Sequence, residues 1–242
     1  LPEVLKYRVP NRGFEGLTVT PGGKVLAVVQ SPLDINGKTS NLAGFTRLVE
    51  LDPATGQTKM YAYPIDVEAY KGPKDAKLGD IYAISDTKLL LIEQGKDKNK
   101  QMRNLIYLVD LTGATDLTNV RVKGQEPEFA TVPEDLSGVR FASKKLLVDL
   151  RAHGWQIEKA EGITMLPDKK TIVVTNDNDF GITMDVADAE NKDADPTSYT
   201  LDASGSFTLK GKPAHPTMTV VPNGEAERYQ QIWFITLPQP IQ

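Results

Sequence analysis

Three stretches of the chain align without a gap: EGLTVTPGGKVLAVVQS from Glu15, GDIYAISDTKLLLIEQG from Gly79 and EGITMLPDKKTIVVTND from Glu161. Each is a short run of alternating apolar residues, a tight turn closing on Lys24, Lys88 or Lys170, and a second apolar run that ends in polar residues. Alternation of period two, broken by Gly, Pro, Asp and Ser, is the pattern of a β-hairpin. One hairpin cannot bury its apolar face by itself, so its threefold repetition predicts sheets that stack on one another.

Further strands extend the repeats. TRLVELDPATGQTKMYAY, residues 46–63, reads as a second hairpin around Asp52–Gln57, NLIYLVDLTGA, residues 104–114, as its counterpart, and YQQIWFITL as a last strand. Helical periodicity is absent, and the chain is predicted to be mostly β. Four-stranded units in series are the pattern of propeller blades, and a propeller closes with about four to eight of them. Only three inner hairpins are legible, so the expectation is the C-terminal part of a β-propeller, with about three to four blades in this chain. The whole of residues 1–242 is read as one such domain, incomplete at its N-terminal side. The opening LPEVLKYRVP has neither an initiator Met nor a basic segment leading into an apolar one, which fits a processed chain. Long loops are expected at residues 34–44 and 185–211.

Composition narrows the function classes. The chain is 40% hydrophobic and 25% charged, as an ordinary globular domain is. A net charge of -4, with no dense run of Lys or Arg, argues against nucleic acid as a partner. The apolar runs are strand-sized, so no membrane span is expected. Cysteine is absent, which removes disulfides, thiolate metal sites and cysteine nucleophiles together. No G-x-S-x-G occurs, so a serine nucleophile on a strained turn is not expected either.

NRGFEGLTVTPGGKVLAVVQSPL near the start, AEGITMLPDKKTIVVTNDNDFG in the second half and the terminal QIWFITL together resemble the bacterial phytase-like family, described as "esterase-like activity of phytase". The resemblance is weakest over residues 126–145 and 185–226. It implies a β-propeller, export to the periplasm or beyond, and a hydrolase acting on a small anionic substrate. Family members extend further on the N-terminal side, which implies an N-terminal fragment of the same precursor as a partner completing the ring. More loosely, the paired EG and ND groups are similar to those of calcium-dependent lactonase-type and phosphotriesterase-type propellers.

The candidate residues come from the repeat. Inner strands of a propeller line one channel, so groups at their ends converge from several blades. Glu15, Glu161, Asn176, Asp177, Asp179 and Glu93 are all oxygen donors near such ends, the chemistry calcium takes, with magnesium second. Glu15 and Glu161 are the candidate catalytic carboxylates, with His153 a candidate acid–base group because its ordinary pKa lies near neutrality. Arg12, next to Glu15, and Asn178 are candidate substrate contacts, Arg12 by bidentate pairing with a phosphate. As structural alternatives, Arg12 pairs with Glu15, NDND is an Asx-rich turn, and Asp80, one place beyond the Glu positions, points to the opposite face. The competing functions are a calcium-dependent hydrolase of phosphate or related esters, a non-catalytic propeller with structural calcium, and a lactonase-type enzyme.

Overall fold

A computed structural model of the protein describes residues 1–192 and 194–241. The chain is mostly β, with strands β1 (Phe14–Val19), β2 (Val25–Val29), β3 (Phe45–Leu51), β4 (Thr58–Pro64), β5 (Lys77–Ala83), β6 (Lys88–Lys96), β7 (Met102–Asp110), β8 (Ser143–Asp149), β9 (Ala160–Met165), β10 (Thr171–Asn176), β11 (Ile182–Ala187), β12 (Tyr199–Leu201), β13 (Phe207–Leu209), β14 (Lys212–Ala214), β15 (Thr217–Pro222) and β16 (Ile232–Thr236). It divides into two compact units, Leu1–Asn176 with Gln231–Gln242, and Asp177–Gln230.

The first unit holds three antiparallel sheets, ordered β1-β2-β3-β4, β5-β6-β7-β8 and β16-β10-β9. All three repeated hairpins form, as β1-β2, β5-β6 and β9-β10. Their first strands pack side by side, with β5 against both β1 and β9. The two interfaces are mainly apolar. Leu26, Val28 and Leu48 of the first sheet meet Ile81, Leu89 and Leu91 of the second. Leu90, Ile92 and Ile106 on the second sheet's other face meet Ile163, Met165, Ile172 and Val174 of the third. Strand β6 is therefore covered on both faces, which is why KLLLI is a continuous apolar run rather than an alternating one. Each such Leu or Ile contributes about 1.5–3 kcal/mol by leaving water.

The same position in successive repeats shows where stacking stops. Ile81 and Ile163 are 2% and 7% exposed, while their counterpart Leu17, with no sheet before it, is 62% exposed. The rest of that face of the first sheet is covered differently. Phe45, Val49, Met60 and Ala62 pack under Leu117, Val120, Val139 and Phe141 of the long β7–β8 connection. The connection is anchored by Arg47, fully buried, whose guanidinium donates to both oxygens of Glu128 at 2.7 and 2.8 Å and to Glu126 at 3.0 Å.

The gapless alignment slips in the third hairpin. Its turn is one residue longer: Thr20 and Ile84 bond across four positions, to Lys24 and Lys88, whereas Leu166 bonds to Thr171. Lys169 absorbs the extra residue at φ 54°. Ile163 consequently pairs with Val174, and Asn176 stands opposite Ala160, where Glu93 stands opposite Leu78. Asn176 is thus the counterpart of Glu93, not of Gln94.

The second unit pairs β11 with β15 and carries a small β12-β13-β14 meander. Asp188, nearly buried, accepts from the backbone N–H of Glu190 and Asn191 and from the Tyr199 hydroxyl, tying the turn just after β11 to β12. The expected loop over 185–211 holds for most of its described length, interrupted by the end of β11 and by the three-residue strands β12 and β13. Short three-residue strands with Asx turns leave little apolar alternation to read.

Candidate functional site: the bulged ends of the inner strands

The EG pairs are β-bulges. Phe14 pairs with Val29 and Gly16 with Val28, leaving Glu15 extra; Ala160 pairs with Asn176 and Gly162 with Thr175, leaving Glu161 extra. In β5 the register shifts in the same place, across Gly79 and Asp80. A bulge turns one side chain out of the strand's alternation and sharpens the local twist, so the same sequence position is re-aimed in every repeat. The glycines have a separate task. A Cβ on Gly16 would lie 2.7 Å from the Ile81 nitrogen and 2.8 Å from the Gly79 oxygen, so β1 rests backbone to backbone on the bulge of β5. Gly79 in turn approaches the Ala160 oxygen of β9. The three bulges therefore nest at one level.

Asp80 is bound within this nest. Its carboxylate accepts from the N–H of Ile81 at 2.8 Å and of Ile163 at 3.0 Å, and from that of Leu17. Those three N–H groups occupy one repeat position, two residues after each bulge residue. Burial pushes the Asp80 carboxyl above the usual range, and the three backbone donors pull it back in part.

Around the bulges lie charges of both signs. Partial burial raises the Glu15 carboxyl above its ordinary value, opposed by the nearby ammonium groups of Lys77 and Lys159. These lysines sit two residues before the bulge in their own repeats. Glu161 accepts a hydrogen bond from Gln94 Nε2 at 3.0 Å. This end of strands β1, β5 and β9 thus carries, besides Asp80, the two carboxylates of Glu15 and Glu161 and two lysines, an arrangement that can hold an anion and exchange a proton with it. The lysines were not singled out in the sequence, although the fixed distance from each bulge was there to be read.

The other candidates fall elsewhere. Arg12 donates to Ser31 Oγ at 3.1 Å and to the Lys74 carbonyl rather than pairing with Glu15, because the chain bends away before β1. Glu93 lies in the interior between the first two sheets, fully buried, receiving the hydroxyls of Tyr63 and Tyr70 at 2.7 and 3.1 Å and the Lys144 ammonium at 2.7 Å. His153 is exposed on a short 3-10 turn after β8. Asn176 accepts from the Gln231 N–H at 2.7 Å, adding a bond between the end of β10 and the start of β16. In the second unit Asp177 accepts from the Asp179 N–H at 2.9 Å, and Asn178 donates to the Arg228 carbonyl at 3.0 Å. NDND therefore does Asx-turn and strand-joining work. Asp80, bonded across three strands, does not point away from the nest as its displaced position suggested. Among the described residues, no three Asp, Glu or His side chains come together in a way that could hold a metal ion.

A family model described as phytase-like, "esterase-like activity of phytase", matches residues 1–180. The chain belongs to this family. The match spans the three repeats and reaches only the first residues of the second unit. No curated protein and no solved structure matches the chain. The bulged ends fall inside the matched region, as does every candidate site residue of this phytase-like chain.

Proposed function

We propose that this phytase-like chain is an exported hydrolase of phosphate esters or related esters, working at the bulged ends of its inner strands. The observation that carries the reading is that Lys77 and Lys159 act on Glu15 at the same end of adjoining strands whose bulges carry Glu15 and Glu161. In it the lysines hold the substrate's anionic oxygens, as charge-assisted donors do. Glu161, bonded to Gln94, orients a water and takes its proton; Glu15, whose carboxyl partial burial raises above its ordinary value, returns a proton to the leaving oxygen. The three stacked sheets are read as consecutive blades of a β-propeller, with further blades supplied by an N-terminal fragment of the same precursor.

Calcium fits this mouth poorly. A calcium site needs about six to eight oxygen ligands, and here the Asp80 carboxylate is taken up by three backbone N–H groups while that of Glu15 lies near two ammonium groups, so no step is assigned to a metal. A calcium-dependent form is kept as an outcome of the test. Purified chain is assayed on p-nitrophenyl phosphate, p-nitrophenyl acetate and a γ-lactone, each with and without calcium, after mass spectrometry for a co-purifying fragment. Phosphate turnover without calcium supports the reading. Turnover only with calcium, or only of the lactone, replaces it, and no turnover by the chain with any fragment it carries leaves a binding role.

A further inference from the structure

We propose that Gln94, Asn104 and Arg151 form a relay of fixed polarity that positions Glu161, an inference that rests on reading Glu161 as a working carboxylate. A bulge residue is held less firmly by its strand than a paired one, so a carboxylate placed there needs support from behind. Gln94 supplies it at 3.0 Å from Nε2. Its Oε1 accepts from the Ala160 N–H and from Asn104 Nδ2, both at 2.9 Å. A backbone N–H only donates, so the amide has one orientation and its NH₂ must face Glu161.

The next link is fixed in the same way. Asn104 Nδ2 also donates to the Glu158 carbonyl at 2.9 Å, and its Oδ1 accepts from Arg151 Nε at 2.7 Å. A carbonyl only accepts and a guanidinium only donates, so this amide cannot turn over either. Arg151 is itself tied to the Ile157 carbonyl at 2.7 Å. The hydrogen bonds therefore run one way, from a cation through two buried amides to the carboxylate. Gln94 and Asn104 are 3% and 0% exposed, where such bonds are strong and an unmet one is costly.

The preceding junction shows what a purely structural solution looks like. There the N–H of Leu78, the counterpart of Ala160, is met by the backbone carbonyl of Gln30. The bulge residue of that repeat is Gly79, which has no carboxylate to hold. The side-chain amide takes over the joining role only where the bulge carries a Glu, and its second hydrogen bond goes to that Glu.

The test uses Gln94→Met, close in volume but without either polar atom, and Asn104→Asp, which keeps the acceptor for Arg151 and loses the donor to Gln94. Crystal structures of both variants should show the Glu161 carboxylate displaced from its wild-type place. On whichever ester the wild type turns over, kcat should fall about 10–100-fold, with KM changed less than about 2-fold because the lysines still hold the substrate. Glu161 unmoved in both variants, or kcat unchanged, overturns the relay. If the wild type turns over none of the esters, the proposed function fails while the position of Glu161 still decides the relay. If Gln94→Met does not fold, Asn104→Asp decides it alone.

Discussion

The Asp80 carboxylate of the second repeat accepts the Ile163 N–H of the third at 3.0 Å, and through Ile81 and Leu17 it binds the same position of all three repeats. Asp80→Ala would leave those donors unmet within the nest and is expected to cost about 3 kcal/mol in urea unfolding. The sign of the pH dependence is set by burial, which raises the folded carboxyl above its unfolded value. The folded chain then holds more protons than the unfolded one between those two values, so the Asp80 contribution is fullest below the unfolded value and is lost as pH rises through the folded one. Relative to Asp80→Asn, the wild type should gain stability as pH falls from about 7 to about 4. A difference that is flat across that range would contradict a raised Asp80 carboxyl.

Arg47 and Glu128 form a buried bidentate pair at 2.7 and 2.8 Å, with Glu126 also bound to the guanidinium. Removing the cation by Arg47→Met leaves a buried carboxylate uncompensated and is expected to cost about 3–5 kcal/mol. Arg47→Met combined with Glu128→Leu should recover part of that loss. Equilibrium unfolding of the single and double variants checks it, and an additive double variant would mean the pair is not coupled.

Lys144 reaches Glu93 at 2.7 Å while standing 4.4 Å from the Tyr107 ring centre and 4.8 Å from that of Tyr63. Burial pushes Tyr107 up to about 12 and Tyr63 and Tyr70 further, the Glu93 carboxylate adding to each. A raised tyrosine stabilises the fold below its unfolded value near 10 and ceases to do so as pH climbs through the folded one. Absorbance at alkaline pH should therefore show these three tyrosines ionising only together with unfolding. Smooth ionisation of every tyrosine near 10 in the folded chain would contradict the buried cluster.

Gly16 and Gly162 come directly after Glu15 and Glu161 in equivalent places, yet their surroundings differ. A Cβ at Gly16 meets backbone of β5 at 2.7–2.9 Å, whereas at Gly162 it meets the Thr175 methyl at 2.6 Å. A side chain can rotate away and a strand cannot, so Gly16→Ala is expected to destabilise by more than about 2 kcal/mol and Gly162→Ala by about 1 kcal/mol or less. Thermal melts of the two variants rank them directly.

The proposed roles separate kinetically. Glu161→Gln should lower kcat by about 100-fold or more at every pH, removing the base. Glu15→Gln should chiefly abolish the loss of rate at high pH, where the proton donor ionises. Lys77→Met and Lys159→Met should raise KM for phosphate monoesters more than for neutral esters. Equal effects of both lysine variants on charged and neutral substrates would remove anion binding from the account.

Much of the architecture was written locally. The hairpins β1-β2, β5-β6 and β9-β10, the outer strands β3, β4 and β7, and the last strand β16 each arise from alternation and turn residues, which act over a few neighbours. The recurrence of Glu15 and Glu161 was legible for the same reason. The one-residue slip before Asn176 was not, because a longer turn changes pairing without changing composition, and β8, SKKLLVD, gives a mixed pattern because only part of it is buried.

By itself the sequence determined that this chain is mostly β, built on a repeated hairpin, and of the phytase-like kind. Only the tertiary structure decided that EG is a bulge, that Asp80 binds three strands, that Glu93 is interior, and that Lys77 and Lys159 come near Glu15 while Gln94 binds Glu161. The physical reason is range: alternation and turns are fixed by adjacent residues, whereas a carboxylate's neighbours come from strands far apart in the chain that meet only when the sheets have stacked.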